Sequence, residues 1–275
     1  MIREFYKDDA TIGAGLTGLL DWYDTEGFEL LNQGATADDE GEAFQLEDIT
    51  PADIVSMPPF DDGRDLSLAN GIVSISEMNC SWEESEGYLV RSDQDVVFDD
   101  FDNYSRTFET SRSSFETATS SLTFPTIDQE LVGVSSGETA LTSEQTGGLL
   151  LTSNQVTSSE LGVSLDYPLV LHFRHGIYTV QEQPVPVMVI LSWLPEAVDS
   201  TSGSDTTFHQ SYSIEVNYGI DDKTLRIFAV WTYVESSALG QDSALWSIGA
   251  VNKSRDAAVR LSEICAGDVE VPAEG

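Results

Sequence analysis

The chain has 275 residues, 40% of them hydrophobic, and carries 48 Asp and Glu against 12 Lys and Arg, a formal net charge of −36. That apolar content supports a sizeable core, so neither a disulfide scaffold nor a disordered acidic chain is expected. Bare nucleic acid is excluded as a partner, because binding it needs Lys and Arg to neutralise phosphates.

The acid is spread from Asp8 to Glu274, with extra density from Asp38 to Asp53. A DNA mimic or a calcium store would concentrate it in one region. In dilute buffer such a chain repels itself. At about 1 M salt the Debye length is only about 3 Å, and most of that repulsion is screened. The composition therefore predicts a protein that stays folded and dissolved in molar salt.

Residues 1–33 read as a lead segment with aromatic anchors at Phe5, Tyr6, Trp22, Tyr23 and Phe28. The start lacks the pattern of a signal peptide, since Lys7, Asp8 and Asp9 follow an aromatic pair and the apolar run from residue 12 is broken by glycines. No stretch reaches the roughly 20 apolar residues of a membrane helix, so no membrane span is expected. Gly13-Ala14-Gly15-Leu16-Thr17-Gly18 matches the dinucleotide fingerprint. That mechanism needs a buried strand before it and a helix after it. Lys-Asp-Asp-Ala-Thr-Ile is no such strand, so the glycines are read as a flexible turn seating Leu19, Leu20 and Trp22.

Residues 34–66 read as an acidic, poorly periodic arm, extended by Pro51, Pro58 and Pro59. It is either a loose linker or an arm lying along a neighbouring subunit. The division expected is thus 1–66 for the extension, 67–251 for a β-sandwich domain and 252–275 for a helix with an acidic tail.

Strand patterns begin at Gly71, over 72–76, 88–91 and 96–98. Residues 105–160 are rich in Ser, Thr and Gly, which suits exposed β-edges and long loops. Segments 168–174 and 177–183 flank His175-Gly176, read as a two-residue hairpin turn. Residues 185–193 are apolar in both registers, which marks a strand buried on both faces. Tyr212, Ile214, Val216 and Tyr218 alternate with Ser213, Glu215 and Asn217, marking a strand with one wet face. Residues 219–222 turn the chain, and Leu225, Ile227, Ala229, Trp231 and Tyr233 run back antiparallel. Leu245, Ile248 and Val251 fit a further strand or bend. A helix follows, capped by Asn252 or Ser254, striped by Ala257, Ala258, Leu261 and Ile264, and ended by Gly267. The fold class expected is mainly β: an antiparallel β-sandwich or jelly-roll-like domain with an extended N-terminal segment and one C-terminal α-helix.

Chemistry-bearing motifs are sparse. Gly133-Val134-Ser135-Ser136-Gly137 matches a nucleophile elbow, with Asp199 and His209 in the right order for a triad. The segment after it is a poor helix, and the helices of a hydrolase fold are missing. His172, His175 and His209 are the only histidines. Residues three apart on a strand point to opposite faces, so His172 and His175 make a poor zinc pair. Asp99, Asp100, Asp102 and Asn103 cluster as hard oxygen donors, a candidate site for calcium, with sodium or potassium as looser occupants. Asn79, Asn103 and Asn252 head glycosylation sequons. The two cysteines, Cys80 and Cys265, are read as free thiols, with a lone disulfide as the alternative. Trp193, Trp231, Tyr233 and Trp246 read as core, and Trp82 or Trp246 as a carbohydrate platform if exposed.

With no motif in its required context, no enzyme is expected. The reading favoured is a structural subunit of a virion (capsid, capsid decoration or tail) of a virus of a halophilic archaeon. It would be made in the host cytoplasm and self-associate with copies of itself and other virion proteins. The alternatives are a halophilic ligand- or carbohydrate-binding β module and a serine hydrolase centred on Ser135.

Overall fold

A computed structural model describes residues 1–7, 9–38, 41–54, 64–116, 148–160, 163–203, 205–236 and 243–274. Its frame is one open antiparallel sheet of nine strands. They are β1 (Gln45–Leu46), β2 (Asn70–Met78), β3 (Asn103–Phe108), β4 (Leu149–Glu160), β5 (Val163–Val180), β6 (Gln183–Trp193), β7 (Val198–Asp199), β8 (Thr206–Ile220) and β9 (Lys223–Ser236). The order across the sheet is β1-β2-β9-β8-β6-β5-β4-β3, with β7 beside β8. Among the described residues the α-helices are α1 (Asp9–Thr25), α2 (Trp82–Leu89), α3 (Arg112–Glu116) and α4 (Ser243–Ala266). The mainly antiparallel β class with its C-terminal helix is thus present, with apolar clusters packed on both faces of the one sheet. Among the described residues no helix is long and apolar enough to cross a membrane.

Alternation along the strands assigns the two layers. Val187, Val189, Leu191 and Trp193 of β6 join Tyr212, Ile214, Val216 and Tyr218 of β8 beneath α1. Met188 and Ile190 face the other way, onto Ala258, Leu261 and Ile264 of α4. The lead segment supplies Ile2, Phe5, Tyr6, Ile12, Leu16 and Leu20 to the first layer.

Several local expectations are corrected. The glycine-rich segment is the helix α1, not a turn. Ile12, Leu16 and Leu20 recur every four residues and are buried, so tertiary packing overrides the helix penalty of glycine. α1 packs on β5 at Gly13, where a Cβ would make an ordinary contact of 3.7 Å with the Thr179 carbonyl oxygen. Residues 88–91 and 96–98 are not strands. Ser81 and Glu84 form a capping box that starts α2, and a 3-10 turn spans Gln94–Val96. The β5–β6 hairpin turns at Gln181-Glu182, both with positive φ. His175 and Gly176 sit inside the ladder opposite Met188 and Val187. Within the Ser/Thr-rich stretch, β3 is an edge strand, whereas β4 pairs on both sides; residues 117–147 lie outside the described residues.

The C-terminal helix begins at Ser243 rather than at Asn252 or Ser254. Ile248 and Val251 are spaced by three, and the helical stripe runs on through them. Asn252 instead bonds the backbone of Ala35 at 3.1 Å in both directions. Gly267, at φ +78°, ends the helix as expected. Cys80 and Cys265 are joined in a disulfide, which corrects the reading of free thiols and ties the chain just after β2 to the last turn of α4.

Candidate functional site

Two clefts lie on opposite faces of the sheet. The larger, about 740 Å³, opens beneath α1. Its floor is a patch of adjacent strands. Val73, Ala229 and Ile214 align across β2, β9 and β8, with Ile227 opposite Val216 in a neighbouring row. Leu19 and Trp22 of α1 form one wall, and Leu46 and Ile49 of the acidic arm form another. The rim is charged, with Arg3, Glu47, Asp48 and Asp53.

The arm is held on this cleft by its own chain. β1 pairs with β2, and the Trp231 indole N–H donates to the Glu47 carbonyl at 2.9 Å. Residue 71 must be glycine for this, because a Cβ there would come within 2.3 Å of Trp231 Nε1. Across the mouth, Arg3 Nε donates to Asp53 Oδ1 at 2.8 Å. Thr50 donates to Asp53 Oδ2 through its N–H at 2.9 Å and its hydroxyl at 2.5 Å. Burial alone would raise the Asp53 carboxyl; the bonds from Thr50 and Arg3 outweigh it and hold the group below its usual range.

The second cleft, about 270 Å³, lies on the α4 face. Ser211, Ser213 and Glu215 alternate along β8 into it, beside Ser192 of β6 and Arg226 of β9. The Ser192 and Ser213 hydroxyls are 2.7 Å apart. Arg226 Nη2 donates to Glu215 Oε2 at 2.8 Å, with only 10% and 9% of the two side chains exposed. Asn217 Nδ2 donates to the other Glu215 oxygen at 2.9 Å. Arg226 Nη1 donates to the Ser254 carbonyl at 2.9 Å and hydroxyl at 2.8 Å. Phe98, Phe101 and Tyr104 form an aromatic rim with Asp100 among them. The face expected to be wet is therefore buried at Asn217, Glu215 and Ser213: α2 packs against β8, and Arg226 ties Glu215 to Ser254 of α4. The missed signal was Arg226, which sits diagonally opposite Glu215 on the neighbouring strand.

The sequence-derived candidates do not converge. Asp99, Asp100, Asp102 and Asn103 are exposed before and at the start of β3, and Asp99 pairs with Arg260 at 3.3 Å. Among the described residues no three His, Cys, Asp or Glu side chains are grouped to hold a metal. His172 is buried and hydrogen-bonded to Tyr6 on the α1 face. His175 faces the other way, bonded to Glu86 and stacked on Phe115 at 4.0 Å. His209 stacks on Tyr233 at 4.9 Å and bonds Glu235 at 3.1 Å. Gly13, Gly15 and Gly18 lie inside α1, not at a strand-to-helix turn. Ser135 lies outside the described residues. Trp82 is half-buried, its ring 6.0 Å from that of His175. Searches against protein-family models and curated proteins return no match.

Proposed function

We propose that the chain is a non-catalytic ligand-binding β module working in molar salt, with the cleft beneath α1 as its site for a small apolar molecule. The cleft itself carries this reading. Protein interiors are close-packed, and small-molecule sites are concave, mostly apolar and about 300–1,000 Å³ in volume. An apolar floor of Val73, Ile214, Val216, Ile227 and Ala229 beneath a charged rim has that construction. No histidine lines either cleft among the described residues. The acid surface suits concentrated salt.

Titration with the neutral dye Nile red in about 3 M KCl, a concentration at which surface charge is screened, tests this. One saturable site is expected, lost in Ala229→Trp, whose indole fills the floor. Absence of a saturable site, or binding unchanged in that variant, contradicts the proposal.

A second reading, the virion subunit, is favoured by one observation. β3 ends the sheet, and among the described residues no strand pairs with its outer edge; open edges template pairing between copies. The acidic ends do not add to that reading, since Glu274 is held by its own chain through Arg112 at 2.6 Å and Ser92 at 2.6 Å. Size-exclusion chromatography in about 3 M KCl separates the two. A defined assembly supports the subunit reading, and a monomer at all concentrations contradicts it.

A further inference from the structure

We propose that the cleft on the α4 face is a second, independent binding site, and that it takes a neutral polyhydroxylated ring of monosaccharide size. Its volume, about 270 Å³, sits just below the range of sites for drug-sized ligands. The polar groups of the floor converge. Ser192 and Ser213 are directly paired across β6 and β8, and Ser211 and Glu215 flank Ser213 on the same face of β8. Hydroxyls both donate and accept, a carboxylate accepts, and a guanidinium donates. Adjacent ring hydroxyls match such a mixed set.

The alternatives fit worse. A wholly apolar ligand would offer the hydroxyls of Ser192, Ser211 and Ser213 no hydrogen bond. An anion would face Glu215, Asp100 and a chain of net charge −36. A cation would meet Glu215 already neutralised by Arg226, with Arg106 beside it. The ring's apolar C–H face has a surface to rest on. Phe101 and Tyr104 stand 5.4 Å apart between ring centroids, and Phe98 meets Phe101 edge-on at 6.5 Å. The floor is fixed before any ligand arrives, because Asn217 and Ser254 hold the ion pair from both sides; preorganisation lowers the cost of binding.

Saturation-transfer NMR in about 3 M KCl with methyl α-glucoside, methyl α-mannoside and methyl α-galactoside tests the site, with cyclohexanol as the apolar ring of similar size. At least one glycoside is expected to bind saturably and better than cyclohexanol. Ser213→Val should weaken it about tenfold, the effect of one lost hydrogen bond, and Phe101→Ala should weaken it as well. Ala229→Trp, in the cleft beneath α1, should leave it unchanged, which separates failure of this proposal from failure of the first. No saturable signal from any of the glycosides, equal binding of cyclohexanol, or indifference to both Ser213→Val and Phe101→Ala overturns it.

Discussion

The guanidinium of Arg174 meets the carboxylate of Asp9 at 2.7 Å, with only 1% of the Arg174 side chain exposed. The same guanidinium donates to the carbonyls of Phe5 at 2.6 Å and Lys7 at 2.7 Å, and to the Tyr178 hydroxyl at 3.1 Å. One side chain of β5 therefore fixes where the lead segment ends and α1 begins. Since α1 walls the larger cleft, this contact positions one wall of the proposed site.

Arg174→Met removes every one of those bonds and leaves buried carbonyls without donors. The loss expected is about 2–3 kcal/mol, because each buried acceptor left without a donor costs about 1–3 kcal/mol, while Asp9 keeps a third of its side chain in solvent. Urea unfolding in concentrated KCl reads it. A loss under about 1 kcal/mol, the value of an exposed ion pair, would show that Arg174 does not anchor the segment.

The pair Tyr6–His172 predicts acid lability. Burial pushes the His172 ring down from 6.5 to about 3. The folded state then refuses a proton that the unfolded chain accepts. This contribution is complete above pH 6.5 and is lost as pH falls toward 3, with a slope of about 1.4 kcal/mol per pH unit. Unfolding free energy measured from pH 7 to 4 should show that slope, and His172→Gln should flatten it.

The disulfide closes a sequence separation of 185 residues. Reducing it releases chain entropy in the unfolded state, at an expected cost of about 2–5 kcal/mol. Melting with and without a phosphine reductant checks this, and the double variant Cys80→Ala, Cys265→Ala should match the reduced protein.

The carboxylates predict salt dependence. The net charge of −36 already counts every basic residue, and among the described residues ion pairs such as Lys223–Glu77 and Arg255–Asp256 lie at the surface. The melting midpoint should rise steadily from about 0.1 M to about 3 M KCl as repulsion is screened. A midpoint no lower in dilute buffer would remove the case for a high-salt habitat.

The strands β8 and β9 were legible because Ile214 and Ile227 sit in two-residue alternation, and β6 because Val185 to Leu191 is an unbroken apolar run. The turn at Asp221-Asp222 and the stop at Gly267 were legible because the residue types suit those conformations. The β5–β6 turn was hidden because Gln181 and Glu182 adopt left-handed conformations without glycine or asparagine. Helix α1 was hidden by its glycines. The polar face of β8 looked wet because nothing local shows that α2 packs against it or that Arg226 of β9 pairs with Glu215. Neither cleft was legible, since Leu19, Leu46, Val73, Val216 and Ala229 meet only through the completed sheet.

The most direct measurement of ligand binding beneath α1 is methyl NMR of the full chain in concentrated KCl during titration with 1-octanol. The methyls of Val73, Ile214, Val216 and Ile227 should shift together and saturate, while those of Val251 and Ile264, on the α4 side, stay in place. Unsaturable shifts, or shifts spread equally over both faces, would contradict the existence of the site.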